Sequence, residues 1–282
     1  MTQSVALHAA NISCAVSATV LGRLSESRTL DCAEEEAVAF RYNGFPHAVM
    51  MATPIDLEDF TFGFSLTEGV IDTFADVEAI STGGGPDGAT IEVSLRGASL
   101  QRFLAGRRIR QLRGNTSCGL CGLEDLGRLH RAGAKVQPAG PLDEAAILAA
   151  FERLRERQPL SRLTRCAHAA AWVSSDGRIL TVREDVGRHN ALDKLIGAGL
   201  RGGFDRANGF CLVTSRCSFE MAQKAIAAGF SAIVSASAPT ALAIRTASAA
   251  GLTLCALSQE RAPLMFAPQN SSEESSWQLS AS

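Results

Sequence analysis

The sequence predicts an α/β protein in two parts, and three observations carry that reading. From about residue 167 onward, short apolar and β-branched runs alternate with helix-length segments, which implies a mostly parallel sheet with right-handed crossovers. Before residue 140 the pattern is hairpin-like, as in a smaller α+β region. Of the 282 residues, 46% are hydrophobic, so a large core can form, and the length suits about two domains. The expected boundaries are a flexible N-terminus over 1–25, an α+β region over 26–140, an α/β domain over 141–268 and a disordered tail over 269–282. The tail is marked by its Ser-Ser-Glu-Glu-Ser-Ser run.

In chain order, residues 36–52 predict a hairpin, because Asn43-Gly44 between apolar runs is a strong turn signal. Thr53, Pro54 and Asp56 then predict a capped helix start, with Leu57, Phe60 and Phe64 as the apolar stripe and Gly69 as the stop. Residues 82–88 read as a loop and 89–96 as a strand. Arg102, Arg107, Arg108, Arg110 and Arg113 follow, then Cys118-Gly119-Leu120-Cys121, then a weakly patterned connector over 123–140. Asp143 caps a predicted helix through Arg157, which ends before Pro159. Residues 167–174 and 178–184 predict a second hairpin around Ser175-Asp176-Gly177. Asn190 is expected to cap the next helix, which carries Leu192, Leu195 and Ile196 on its apolar face. Strands over 210–214, 231–235 and 252–257 then alternate with helices over 218–228 and 239–250.

Composition excludes several classes. A formal net charge of −2 and a pI near 6.2 argue against nucleic acid as a partner. No run approaches about 18 apolar residues, so no membrane span is expected. The first basic residue is Arg23, so no secretory signal is expected either. Eight cysteines occur, of which only Cys118 and Cys121 are close in sequence; Cys211 and Cys255 sit in apolar runs. That usage fits reduced thiols in a cytoplasm rather than a disulfide framework.

Four clusters carry chemistry. The glycines around Cys118 and Cys121 leave the sulfurs accessible, and the preceding arginines favour thiolate, the form that attacks or carries sulfur. Sulfur transfer or redox exchange, half of a metal site, and an incidental pair are the readings open to these residues. Zinc needs three or four protein ligands, and neither a second Cys-x-x-Cys nor a deaminase-type His-x-Glu with Pro-Cys-x-x-Cys exists here. The arginines themselves read either as a solvated face or as a dock for an acidic or phosphorylated partner. Asp185, Arg188, His189 and Asn190 form a polar knot where a strand meets a helix, either a capping network or an anion site at a helix N-terminus. Ser215, Arg216 and Ser218, with Ser237 and Thr240, stand at the carboxyl ends of predicted parallel strands, where α/β sheets bind ligands. Together these clusters suggest a nucleotide-sized anionic ligand. His47 and His168 read as core residues.

The chain resembles the formate dehydrogenase accessory sulfurtransferases, the FdhD family, from about residue 34 to 266. The motifs that carry the resemblance are Tyr-Asn-Gly-Phe-Pro-His-Ala-Val-Met-Met-Ala-Thr-Pro at 42–54, Asp-Leu-Glu-Asp-Phe…Gly at 56–69 and Ser-Cys-Gly-Leu-Cys-Gly at 117–122. The run Arg-Glu-Asp-Val-Gly-Arg-His-Asn-Ala-Leu-Asp-Lys-Leu-Ile-Gly at 183–197 is the most specific; Glu-Met-Ala-Gln-Lys-Ala at 220–225 and Ser-Ala-Pro-Thr-Ala-Leu-Ala at 237–243 complete the set. The resemblance implies a cytidine-deaminase-like three-layer C-terminal domain without zinc. It also implies a persulfide carried on Cys118, with Cys121 as its partner. A cysteine desulfurase would supply the sulfur, and a molybdenum or tungsten bis(molybdopterin guanine dinucleotide) cofactor would be bound and sulfurated for formate dehydrogenase. The family's cofactor-contacting segment falls on Leu257, Ser258, Gln259, Glu260, Arg261 and Ala262, where this chain lacks the usual aromatic residue, basic residue and Gly-Arg. A non-catalytic cofactor escort and a nucleotide hydrolase on a deaminase-like fold are the competing readings. A homodimer is left open.

Overall fold

The computed structural model describes residues 12–113 and 135–268, apart from Ala207. Twelve strands and seven helices fall within those residues. The chain opens with a two-stranded hairpin, β1 (Ser13–Val20) and β2 (Arg23–Ala33). A four-stranded sheet follows, built from β3 (Glu36–Tyr42), β4 (Phe45–Ala52), β5 (Val77–Gly85) and β6 (Gly88–Leu95), in the order β4-β3-β6-β5. Asn43 and Gly44 both take positive φ, the geometry a two-residue hairpin turn requires. Helices α1 (Leu57–Thr67) and α2 (Gly97–Arg113) pack on this sheet through Phe60, Phe64 and Phe103.

The C-terminal half contains β7 (His168–Ser174), β8 (Ile179–Asp185), β9 (Gly209–Arg216), β10 (Ala232–Ser237), β11 (Thr253–Leu257) and β12 (Pro263–Ala267) in one sheet, ordered β12-β11-β10-β9-β7-β8. Helices α5 (Arg188–Gly202), α6 (Phe219–Ala227) and α7 (Ala241–Ala250) connect β8, β9, β10 and β11 in turn. Each of these connections steps the same way along the sheet, so right-handed crossover puts all three helices on one face. The strands alternate accordingly. Ala170, Trp172, Cys211, Val213, Ile233 and Leu254 face α5–α7, while Ala171, Val173, Phe210, Leu212, Ala232 and Val234 face α3 (Glu144–Leu154) on the other side. A short helix α4 (Pro159–Thr164) precedes β7.

The two sheets meet through α1 and α5. A Cβ added at Gly63 would stand 1.7 Å from the Asp193 carbonyl oxygen, and one at Gly197 would stand 1.8 Å from that of Asp59. Only glycine permits so close a backbone approach. Around the crossing, Lys224 Nζ contacts Asp193 Oδ2 at 2.7 Å and Thr67 Oγ1 at 2.9 Å, and the Tyr42 hydroxyl bonds Ser65 at 2.8 Å. Asp59 receives Arg183 from β8 and Arg201 from α5, each at 2.6 Å.

Several expectations change. The C-terminal sheet is mixed rather than mostly parallel: β9-β10 and β10-β11 are parallel, whereas β7-β8, β7-β9 and β11-β12 are antiparallel, because a hairpin starts the sheet and a return strand ends it. Residues 13–20 and 23–33 pair as strands, so the expected flexible start is structured from Ser13. The loop expected over 82–88 shrinks, because β5 continues to Gly85 and β6 starts at Gly88. The arginine-rich stretch is helical at least to Arg113, with Leu100, Phe103 and Leu104 on its inner face at helical spacing. Asp143 does cap its helix through Ala145 and Ala146, but α3 ends at Leu154 and Pro159 opens α4. The first helix starts at Leu57 rather than after Thr53, whose polar groups are engaged elsewhere.

Candidate functional site

Strand direction decides where the site falls. β8 and β9 are both antiparallel to β7, and β9, β10 and β11 are mutually parallel, so these four strands end on the same edge. That edge gathers Asp185–Asn190, Ser215–Ser218 and Ser237–Thr240, which the residues singled out, together with Leu257–Ala262, the segment the resemblance implied. With neighbouring strands about 4.8 Å apart, the span from β8 to β11 is roughly 19 Å. Carboxyl ends of strands are where open α/β sheets take ligands. Two hollows around Phe204–Arg206 lie instead at the opposite edge, among residues that precede β9 and β10.

Within the first cluster, neighbouring residues serve different purposes. Asp185 is fully buried. Its Oδ2 accepts from the Thr53 amide at 3.0 Å and meets Lys194 Nζ at 2.7 Å, and its Oδ1 accepts from the Gly187 amide at 2.7 Å and from Asn190 Nδ2 at 3.0 Å. Asn190 also donates to the Met51 carbonyl at 2.7 Å, and Lys194 donates to that of Thr53 at 2.9 Å. Asp185 and Asn190 therefore face inward and fasten the rim to the end of β4; Asn190 lies inside α5, whose N-cap is Gly187, and does not cap it as expected. A side chain at Gly187 would crowd Asn190 Nδ2 at 2.9 Å. Glu184 is likewise turned away, accepting from the Leu160 and Ser161 amides at the start of α4, each at 2.9 Å.

Arg188 and His189 differ, because each leaves a buried nitrogen without a hydrogen-bond partner, Arg188 Nε and His189 Nε2. The Ser218 hydroxyl at the start of α6 is buried and unpartnered as well. His189 Nε2 stands 2.7 Å from Glu220 Oε2, but out of line for a hydrogen bond. Desolvation, followed by Arg188, Lys224 and His168, pushes the His189 pKa down to about 4, so the imidazole is neutral at pH 7. Burial raises Glu220 against the opposing pull of Arg188 and Lys224. The N-termini of α5 and α6 lack side-chain caps, whereas Thr240 caps α7 by accepting from the Ala243 amide at 3.2 Å.

The remaining predicted residues complete the rim. Arg216 and Ser237 are exposed register partners on β9 and β10, and the Thr240 amide donates to the Cys217 carbonyl at 3.0 Å. Ser215 is buried and donates to the Arg216 carbonyl at 3.0 Å. Leu257–Ala262 forms the turn from β11 to β12, held by Ser258 and Ala262 to each other, with Gln259, Glu260 and Arg261 exposed. Unpaired N–H groups, Arg188 and Arg216 suit a phosphate-bearing anion. Among the described residues, no group of three His, Cys, Asp or Glu side chains is arranged to hold a metal ion. His47 packs on Tyr42, Phe64 and Phe103, and His168 pairs with Asp185 across the β7–β8 ladder. Cys118 and Cys121 lie outside the described residues. Sequence reasoning gave Lys194 no role and Thr53 a helix-capping one, although a lysine between Leu192 and Leu195 was a signal of internal pairing.

The FdhD/NarQ family matches residues 33–272. The chain belongs to that family. It is 47% identical over 215 residues to a sulfur carrier protein FdhD of Bordetella petrii, covering 76% of this chain and 77% of that protein. It is 45% identical over 247 residues to a sulfur carrier protein FdhD of Cupriavidus necator, covering 87% and 85%. A crystal structure described as a formate dehydrogenase accessory protein from Desulfotalea psychrophila superposes with a TM-score of 0.71 at 25% identity, covering 91% of this chain and 97% of that one. The FdhD/NarQ match spans the Cys118–Cys121 motif and all four rim clusters.

Proposed function

We propose that this FdhD/NarQ protein is a sulfur carrier that serves formate dehydrogenase maturation, acting as a persulfide-bearing sulfurtransferase in the cytoplasm. The Cys118 thiolate attacks the outer sulfur of a cysteine desulfurase persulfide, forming a new S–S bond and releasing the donor's thiolate. Delivery follows at the rim, where the substrate is the bis(molybdopterin guanine dinucleotide) molybdenum or tungsten cofactor. There Cys121 attacks Cys118, closes a disulfide and frees the outer sulfur as sulfide for the metal. Arg188, Arg216, the Ser218 hydroxyl and the open starts of α5 and α6 bind the substrate's phosphates. Asp185, Asn190 and Lys194 hold those helix starts in place. A deaminase-like three-layer C-terminal domain is part of the same reading.

The observation that carries this reading is the convergence on one sheet edge of two buried but unpartnered polar atoms, Arg188 Nε and Ser218 Oγ, beside two uncapped helix starts. Polar atoms in that condition are costly unless something binds them. The names of the relatives support sulfur as the cargo. The test is the Cys118→Ala variant in cells that make formate dehydrogenase. Formate dehydrogenase activity should vanish at unchanged enzyme abundance. Wild-type carrier treated with a cysteine desulfurase and cysteine should gain one sulfur atom on tryptic peptide 114–128. Normal activity in Cys118→Ala, with loss only in Arg188→Ala, would replace the sulfur carrier with a cofactor escort.

A further inference from the structure

The N-terminal hairpin brings together two cysteines that lie far apart in sequence. Cys14 on β1 and Cys32 on β2 are direct cross-strand partners, and both are exposed. Two positions further along, Val16 and Leu30 are also paired and lie on the same face, 42% and 54% exposed. No core covers that face among the described residues, so both sulfurs meet solvent. The Glu34 amide donates to the Ile12 carbonyl at 2.9 Å, which places the Cys14–Cys32 pair in the hydrogen-bonded register of the ladder. Opposed Cα atoms there are about 5.5 Å apart, within disulfide reach, and their Cβ atoms, also about 5.5 Å apart, must close by about 1 Å for the bond to form. The sulfurs are near enough for Cys32 to disfavour the Cys14 thiolate, and Glu34 accepts the Cys14 thiol proton in a hydrogen bond that raises the Cys14 pKa.

We propose that Cys14 and Cys32 form a second dithiol site, separate from Cys118 and Cys121, that undergoes reversible thiol–disulfide exchange with small disulfides of the glutathione class. One of the two cysteines, as thiolate, attacks oxidised glutathione and expels one glutathione thiolate. The other then loses its proton and attacks the sulfur of the first, expelling the second glutathione. Two protein thiols and one oxidised glutathione become one protein disulfide and two reduced glutathiones, so atoms and electrons balance. The closed bond locks the register of a two-stranded hairpin, a motif that is marginal by itself. The inference does not depend on the sulfur-carrier reading.

The test uses the full-length, folded protein incubated with oxidised glutathione, then alkylated and digested with trypsin without reductant. Cleavage at Arg23, Arg28 and Arg41 puts the two cysteines on peptides 1–23 and 29–41, so a Cys14–Cys32 bond appears as those peptides joined. The expected result is the joined pair, with loss of two titratable thiols at these positions and their recovery on adding reduced glutathione. Cys14→Ser and Cys32→Ser should each leave a glutathione adduct on the remaining cysteine and no joined pair. The proposal is overturned if both thiols alkylate but never join, if either joins Cys166 instead, or if neither reacts.

Discussion

Asp185 shows how little a residue's type says about its role until its direction is known. It sits in the middle of a motif that read as ligand-binding, yet its two oxygens are taken up by Thr53, Gly187, Asn190 and Lys194. Lys194 is equally buried, and removing it would strand a carboxylate without its counter-ion. Lys194→Met should therefore cost about 3–5 kcal/mol, read as a lowered midpoint in urea unfolding. A midpoint unchanged from wild type would show that Asp185 is held well enough by its neutral donors. The sequence made the polar knot at 183–190 legible but not its sorting. There the two-residue period of β8 gives way to the 3.6-residue period of α5, so neither period sorts the residues between core and rim. Arg188 and His189 fell on the outside; Glu184, Asp185 and Asn190 did not.

At the level of elements, the joint between α1 and α5 is the most demanding contact described. Gly63→Ala places a methyl carbon inside the Asp193 carbonyl, and neither backbone can retreat without dragging a helix. We expect a loss of about 3–5 kcal/mol, at the exceptional end for single substitutions, measured by thermal or chemical unfolding. A mild effect would mean that the helices stand further apart. Most elements were readable because each carries its own local signal, such as Asn43-Gly44 for a turn or Asp143 for a cap. Those missed had their signal masked. α2 hid behind its arginines although Leu100, Phe103 and Leu104 keep helical spacing. β1 and β2 lack a buried face, so they show no strong alternation of apolar and polar residues. Thr53 looked like a helix cap because capping and cross-sheet bonding use the same hydroxyl chemistry, and only tertiary structure separates them.

For the molecule as a whole, the rim makes stability respond to acid. His189 has a pKa of about 4 in the folded chain, mainly through desolvation, against about 6.5 when unfolded. The unfolded chain therefore binds the extra proton first. Stability contributed by the neutral imidazole is intact above pH 6.5 and drains away as pH falls toward 4, by roughly 3 kcal/mol if the whole shift is expressed. His168, lowered for the same reason, acts in the same direction. Urea unfolding from pH 7 to 4.5 should show this slope, and His189→Asn should flatten it; an identical slope in the variant would remove His189 as its source. At this scale the sequence conveyed the alternation that builds the rim but not the sheet's mixed strand directions. Those depend on which strand a hairpin chooses as its neighbour, a choice made by contacts distant in sequence.

The contact between Gly63 and Gly197 also acts as a gauge inside the molecule. Where two helices are kept apart by side chains, their separation drifts as those side chains are exchanged over generations. Here the gauge is set by the radii of main-chain atoms, which substitution cannot alter. The offset between the small sheet and the strand rim is thereby tied to these two positions.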